Sequence, residues 1–305
     1  MISSTHSDVR LVPNTGWDER ILTFQYKRIV TNFAVISERY VVLIDTLVSP
    51  STAAVMVEAV RDRLREGRQL VVINTHADWD HYWGNGLFAG ADARYPAPII
   101  AHRLCRERVL GGAWQEYLVE MQQSDPATYA EVRLVPPTIT FDGSCSIFGG
   151  DLTFELIHTP GHTPDHVSIF IPEIRTLFPV DAAEDPIPFV FHAEDVPLMR
   201  ASFERLAALE PERVLYHHAL GSTSTDVIQH NIAYFNDLER RATAAVQATP
   251  FAQALDENSD VEAIMGYPFA EVAHLETLDA EERTFYQGAH RDALRSMLEY
   301  VRQQH

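Results

Sequence analysis

The sequence predicts an α/β fold with a helical C-terminal extension, and two features of the chain support this prediction. Short apolar runs typical of buried strands alternate with helical patterns along most of the chain. His76, His162 and Asp181 each come shortly after such an apolar run. Because loops at one edge of a sheet bring distant side chains together, the same pattern predicts where a functional site lies.

The first group of predicted strands spans residues 31–36, 40–45, 70–74 and 99–101. The first two strands are separated by a short turn, which predicts a hairpin. A helix is predicted at residues 51–65, because Met56, Val60 and Leu64 recur there at four-residue steps. The order of these elements is that of an α/β protein.

An insertion at residues 103–137 interrupts the strands. It is predicted to be largely helical and is closed by two prolines. A second group of strands is predicted after it, at residues 138–141, 152–158, 166–171 and 176–180.

The remainder of the chain, from residue 222, is helical and acidic, with 14 acids against 6 bases. One helix is predicted to end near residue 246, and a final helix begins at Ala280. We therefore predict a domain at residues 1–221 that contains the insertion, and a helical region at residues 222–305 that packs on it.

The composition predicts a cytoplasmic protein with a substantial core. Of the 305 residues, 46% are hydrophobic, and no apolar run reaches the ~18 residues that a membrane helix needs. The first residues are polar and contain no apolar signal core, so we expect no secretion. The two cysteines, Cys105 and Cys145, lie far apart and are expected to be reduced.

The net charge of −19 argues against nucleic acid as a partner. A protein that follows a phosphate backbone needs aligned lysine and arginine side chains. This chain has one lysine, Lys27, and its densest basic stretch, residues 61–65, has the spacing of a solvated helix face. We therefore expect a small-molecule substrate, with neither nucleic acid nor a membrane as partner.

The densest group of potential metal ligands follows the strand at residues 70–74. His76, Asp78, Asp80 and His81 lie within six residues of one another. Two imidazoles and two carboxylates so close together are explained if they converge on a cation. The alternative is a polar loop whose side chains only cap the next helix.

The order of the candidate ligands resembles that of the metallo-β-lactamase superfamily. The residues that carry the resemblance are His76-x-Asp78-x-Asp80-His81, Gly161-His162-Thr163, Asp181 and His218. The resemblance covers roughly residues 21–221 and implies a four-layer αββα sandwich.

The same resemblance implies two metal sites. The first would use His76, Asp78 and His162, and the second would use Asp80, His81 and His218. Asp181 would bridge the two ions. His217 lies beside His218, and neighbours on an extended segment face opposite ways, so the two should not face the same site. The resemblance implies that His218 is the ligand.

One position departs from the family pattern. Asp78 stands where the family usually has its second histidine, which makes the first site more anionic and harder. The resemblance therefore implies two divalent metal ions, with zinc as the first expectation and iron or manganese as alternatives.

The activity that the resemblance implies is hydrolysis. A metal-bridging hydroxide would attack a small ester, lactone, thioester or amide, and Asp80 would orient this nucleophile and take its proton. An iron-containing redox protein, diiron or mononuclear, is an alternative motivated by Asp78. A small phosphodiesterase and a non-catalytic metal-binding protein are further alternatives.

Candidate substrate contacts are polar or aromatic residues near these motifs, namely Trp79, Tyr82, Trp83, His192 and Tyr216. The alternative for the aromatic residues of the first motif is packing beneath the loop. The insertion at residues 103–137 and the C-terminal helices are both candidates for covering the site or for forming the face of a homodimer.

Overall fold

The computed structural model describes residues 8–218, 223–248, 259–272 and 275–304. The chain divides into two compact units. The first unit contains residues 1–158 and 165–178, and the second contains residues 159–164 and 179–305. This division comes earlier in the chain than the predicted boundary at residue 221.

A seven-stranded sheet forms the larger part of the first unit. Its strands follow chain order and are β1 (Val9–Val12), β2 (Ile21–Tyr26), β3 (Val30–Ile36), β4 (Tyr40–Ile44), β5 (Gln69–Ile73), β6 (Ile99–His102) and β7 (Ile139–Phe141). The strands from β1 to β4 pair antiparallel, and those from β4 to β7 pair parallel. The predicted hairpin is confirmed, with Val35 opposite Val42.

The second sheet of this unit is antiparallel over the next four strands. They are β8 (Ser144–Phe148), β9 (Thr153–His158), β10 (Val167–Ile171) and β11 (Thr176–Phe178), in the spatial order β11-β10-β9-β8. The two sheets pack through aromatic side chains. The ring centroids of Phe33 on β3 and Phe178 on β11 lie 4.9 Å apart.

Helices cover the first sheet. They are α1 (Pro50–Ala59), α2 (Arg61–Arg65), α3 (Trp79–Tyr82), α4 (Arg103–Leu110), α5 (Gln115–Ser124) and α6 (Pro126–Tyr129). Met56 of α1 and Cys105 of α4 share one hydrophobic core with the strands. The single helix predicted at residues 51–65 is instead two helices that meet at Val60. The helical character of the insertion is confirmed by α4, α5 and α6.

The second unit is mainly helical. Its elements are α7 (Asp195–Ala208), β12 (Arg213–Val214), α8 (Asp226–Ala248), α9 (Val261–Met265) and α10 (Ala280–Gln304). The helices bury their apolar faces against one another in a separate core that includes Phe203, Leu238 and Met297. The final helix begins at Ala280, as predicted. Among the described residues, no helix has the length and apolarity needed to cross a membrane.

Candidate metal centre

The loop after β5 carries the first ligand motif. Its main chain is fixed inside the first unit, because the Thr75 carbonyl accepts a hydrogen bond from Val167 N (2.9 Å) and Ala77 N donates to the Asp165 carboxylate (2.8 Å). Asp78 lies at the N-cap of α3, but its side chain makes no capping hydrogen bond. The alternative that Asp78 serves to cap the helix is therefore wrong.

A buried carboxylate, that of Asp45, contacts one of the two histidines directly and the other through Thr75. Nδ1 of His81 lies 2.8 Å from Oδ2 of Asp45, and Thr75 Oγ1 donates to the same oxygen at 2.7 Å. Nδ1 of His76 lies 3.0 Å from Thr75 Oγ1. The Thr75 hydroxyl gives its proton to Asp45, so it can only accept from Nδ1–H of His76, and the Asp45 carboxylate likewise accepts from Nδ1–H of His81. This assignment leaves the lone pair of each ring on Nε2, the usual arrangement for metal-binding histidine.

Asp45 is a candidate functional residue that the sequence analysis missed. It directly follows β4, is fully buried and has a positive φ of 62°. Such a backbone conformation is uncommon for a residue other than glycine and is often found where a site holds a side chain in a fixed position. The available signal was an acidic residue directly after an apolar strand.

The two aspartates of the motif each face one of these histidines. Oδ2 of Asp78 lies 3.6 Å from Nε2 of His76, and Oδ2 of Asp80 lies 3.7 Å from Nε2 of His81. These distances exceed the normal hydrogen-bond range of about 2.7–3.2 Å. Within each pair, the distance fits two ligands of the same cation, since two ligand atoms of a tetrahedral zinc site lie about 3.4 Å apart.

The ligand candidates of the second unit, His162 and His218, both lie close to one oxygen atom of Asp181. Nε2 of His162 and Nε2 of His218 each lie 3.4 Å from Oδ2 of Asp181. These distances match the ~3.4 Å between two ligand atoms of one tetrahedral zinc ion, so Asp181 can share a cation with either imidazole. The donor types of this unit, imidazole and carboxylate, therefore fit zinc, iron or manganese.

Close packing in the second unit fixes the His162 loop. Gly161 has a φ of 137°, and a Cβ atom there would lie 2.4 Å from the main chain of Met199 on α7. Only glycine allows this approach of loop and helix. Val180, directly before Asp181, has a positive φ of 56°, which is a strained conformation for a β-branched residue.

Glu184 is a second functional candidate that the sequence analysis missed. Its carboxylate, the Asp181 carboxylate and the His162 imidazole place ligand atoms within 4.8 Å of one another. Asn231 on α8 holds its backbone: Glu184 N donates to Oδ1 of Asn231 at 2.9 Å, and Nδ2 of Asn231 donates back to the Glu184 carbonyl at 2.8 Å. Glu184 is almost completely buried.

Aromatic side chains surround His162 in the second unit. Its ring centroid lies 5.8 Å from that of Phe191 and 6.3 Å from that of Phe189, and Phe189 lies 5.3 Å from Phe285 of α10. Phe191 is 44% exposed and Phe285 is 64% exposed. An accessible apolar surface therefore lies directly beside a metal-ligand candidate.

The predicted substrate contacts differ in exposure. Tyr82 and Trp83 are fully buried. Trp83 packs against Tyr117 of the insertion, with their ring centroids 5.9 Å apart. The prediction that these two line a substrate opening is corrected, because both pack beneath the loop. Trp79 is partly buried and stays a candidate.

In the second unit, His192 is exposed and stays a candidate substrate contact. Tyr216 is buried, and its hydroxyl donates to the Ser224 carbonyl at 2.8 Å. Burial also raises the pKa of the Tyr216 phenol far above its usual range. Tyr216 is therefore the weaker of the two candidates.

A metallo-hydrolase and a lactonase are among the known proteins similar in sequence to this chain. A probable metallo-hydrolase of Bacillus subtilis is 28% identical over 199 residues, which cover 57% of this chain and 74% of that protein. An N-acyl homoserine lactonase of Bacillus thuringiensis is 29% identical over 149 residues, 45% of this chain and 49% of the lactonase. The chain thus spans about half the length of that enzyme.

Solved structures with the same fold include two metallo-β-lactamase proteins. One from Thermus thermophilus has a TM-score of 0.59 and 17% identity, covering 97% of this chain and 94% of that chain. One from Pontibacter korlensis has a TM-score of 0.54 and 16% identity, covering 75% and 99%. These neighbours confirm the predicted αββα fold, and the family model of the metallo-beta-lactamase superfamily matches residues 26–218. The chain therefore belongs to the metallo-beta-lactamase superfamily.

Proposed function

We propose that the protein is a hydrolase of small esters, lactones, thioesters or amides that depends on two divalent metal ions. The observation that carries the proposal is the position of Asp181 Oδ2, which lies 3.4 Å from Nε2 of both His162 and His218. The membership in a superfamily of metallo-hydrolases supports it. The lactonase and the metallo-hydrolase among the relatives are also consistent with it.

We assign the ligands to two metal ions as the family resemblance implies. His76, Asp78 and His162 would bind the first ion, and Asp80, His81 and His218 would bind the second, with Asp181 shared. Bound divalent ions supply Lewis acidity and lower the pKa of water to near neutrality. Zinc is the first expectation for both ions, with iron or manganese as alternatives because of Asp78.

The side chains of this chain supply orientation and proton transfer. Asp45 holds the proton on Nδ1 of His81, so that Nε2 stays a donor to metal. Asp80 is positioned beside Nε2 of His81, and we assign its carboxylate the task of orienting the water nucleophile and accepting its proton.

An uncharged substrate with an apolar group fits this site best. Phe189 and Phe191 lie beside His162, and they offer an apolar contact rather than a charged one. The net charge of −19 disfavours anionic substrates at long range. Among the proposed substrate classes, we therefore favour lactones and esters with an acyl or aryl substituent.

The test is hydrolysis by purified protein before and after chelation. Treatment with a chelator should abolish turnover of a panel of p-nitrophenyl esters, lactones and phosphodiesters, and Zn²⁺, Mn²⁺ or Fe²⁺ should restore it. His162→Ala should abolish activity, whereas His230→Ala, at an exposed position on α8, should not. Fully metallated protein that hydrolyses none of the panel would contradict the proposal.

The second candidate function is an iron-dependent redox protein of the same fold. The observation that favours it is Asp78, whose carboxylate makes the donor set harder than the family pattern. Elemental analysis of protein purified without added metal distinguishes the two candidates. Iron with a spectrum that responds to O₂ or reductant would support redox chemistry, whereas stoichiometric zinc with no oxygen response would exclude it.

A further inference from the structure

Arg108, on α4 of the insertion, forms ion pairs with two acids. Its guanidinium Nη2 lies 3.0 Å from Oδ1 of Asp78, and its Nη1 lies 2.5 Å from Oδ1 of Asp165. A guanidinium is planar, stays charged and presents several donors in a fixed arrangement, so it can hold two carboxylates in a defined geometry. Asp165 is fully buried, which makes this contact a fixed part of the first unit.

Two residues fix the main chain of the ligand loop. They are Asp165 and Trp114, and Trp114 belongs to the insertion, as Arg108 does. The other oxygen of Asp165 accepts the hydrogen bond from Ala77 N at 2.8 Å. Nε1 of Trp114, which belongs to the insertion, donates to the Ala77 carbonyl at 2.7 Å. The residue between His76 and Asp78 is therefore held through both its main-chain N and its carbonyl by groups outside the motif.

Arg108 and His76 face different oxygens of the Asp78 carboxylate. Oδ1 is occupied by Arg108, whereas Oδ2 lies 3.6 Å from Nε2 of His76. A carboxylate without such a partner can bind a cation through either or both oxygens. With Oδ1 engaged, Asp78 offers one donor atom, as the imidazole of the usual family residue does.

We propose that Arg108 is a positioning residue that holds Asp78 as a single-oxygen metal ligand and thereby sets the metal affinity of this part of the centre. The inference rests on the proposed function only in taking Asp78 as a metal ligand. It assigns the insertion a role in metal binding. Arg108 need not touch the substrate for this role.

The experiment measures metal affinity without turnover. Full-length protein is stripped with a chelator and titrated with Zn²⁺ or Mn²⁺ against a competing indicator, and bound metal is counted by elemental analysis. Arg108→Gln should weaken the binding of one metal equivalent by about 10- to 100-fold, the usual effect of removing a partner of a metal ligand. Arg103→Gln should leave affinity unchanged, because this arginine of α4 also pairs with two acids but is exposed.

A double-mutant cycle separates positioning from general destabilisation. If Arg108 acts through Asp78, Arg108→Gln should have no further effect on metal affinity in the Asp78→Ala background. An equal loss of affinity in both backgrounds, or an unchanged affinity in the single variant, would overturn the inference.

If Arg108→Gln does not fold, Arg108→Lys replaces it. Lysine keeps the charge but cannot span both carboxylates, so we expect a smaller loss of affinity, and a wild-type value would overturn the inference. Metal affinity is measured without substrate. If the protein hydrolyses no substrate but the coupling between Arg108 and Asp78 in metal affinity is present, only the proposed function is contradicted.

Discussion

Nδ1 of His81 and Oδ2 of Asp45 lie 2.8 Å apart, and both side chains are fully buried. Thr75 donates to the same carboxylate through both its main-chain N and its hydroxyl. This arrangement fixes the tautomer of His81 before any metal binds. The orientation of a metal-ligand candidate is thus built into the first unit.

Replacing Asp45 tests this relationship. Asp45→Ala should weaken metal binding by about 10- to 100-fold, since His81 loses the acceptor that orients it. It should also lower the free energy of unfolding by about 1–3 kcal/mol, because buried donors lose their partner. Metal titration and urea denaturation measure the two effects. Asp62→Ala on the exposed surface of α2 is the control, and equal behaviour of the two variants would exclude a role for Asp45.

Replacing Asp78 by histidine tests the departure from the family pattern. Asp78→His should raise the zinc content of protein purified without added metal, because a neutral imidazole suits zinc better than a carboxylate does. Arg108 keeps Asp165 as a partner in this variant, so the fold should be retained. Elemental analysis provides the measurement. Unchanged metal content would indicate that Asp78 is not a ligand.

Glu184 should contribute to metal binding together with His162 and Asp181 of the same unit. We expect Glu184→Gln to weaken metal binding by about 10-fold or more, because a carboxylate close to His162 and Asp181 loses its charge. The amide keeps the shape of the side chain, and the hydrogen bonds to Asn231 involve only the backbone of residue 184. Glu194→Gln, at an exposed position, is the matched control. A wild-type affinity in titration would remove Glu184 from the site.

The aromatic surface beside His162 predicts a preference for apolar substrates. For wild-type protein, kcat/KM should rise with the acyl length of p-nitrophenyl esters by up to about fourfold per methylene, since a buried methylene contributes ~0.8 kcal/mol. Phe191→Ala should reduce this dependence and leave the acetyl ester nearly unchanged. Phe148→Ala, an exposed phenylalanine on β8, serves as control. An unaltered chain-length profile in Phe191→Ala would contradict the assignment.

His290 should make the stability of the second unit depend on pH. Burial lowers its pKa below the usual value of 6.5, and its ring lies 2.8 Å from the Tyr234 hydroxyl and 2.9 Å from the Tyr267 carbonyl. The neutral ring satisfies both contacts, so the stability it contributes is complete above the unfolded pKa and is lost as the pH falls below about 6.5.

The measurement is urea denaturation of metal-free protein between neutral pH and about pH 5, around the usual histidine pKa. His290→Gln should lose stability less steeply over this range, because glutamine binds no proton. The same pH dependence in both proteins would exclude His290 as its source.

The sequence by itself determined the fold class, most strand positions and the main ligand candidates. Apolar runs that end in histidine or aspartate are local patterns, and the hairpin and the final helix at Ala280 follow equally local rules. Local patterns did not predict that the helix is divided at Val60 or that Tyr82 and Trp83 are buried. Packing against neighbouring elements decides both.

Only the tertiary structure decided which residues support the ligands. Asp165 lies 88 positions from Ala77, and Arg108 lies 30 positions from Asp78, yet each pair is hydrogen-bonded. Glu184 and Asn231 meet across 47 positions. Such contacts leave no periodic trace in the chain, because they depend on how strands and helices are brought together rather than on the preferences of neighbouring residues.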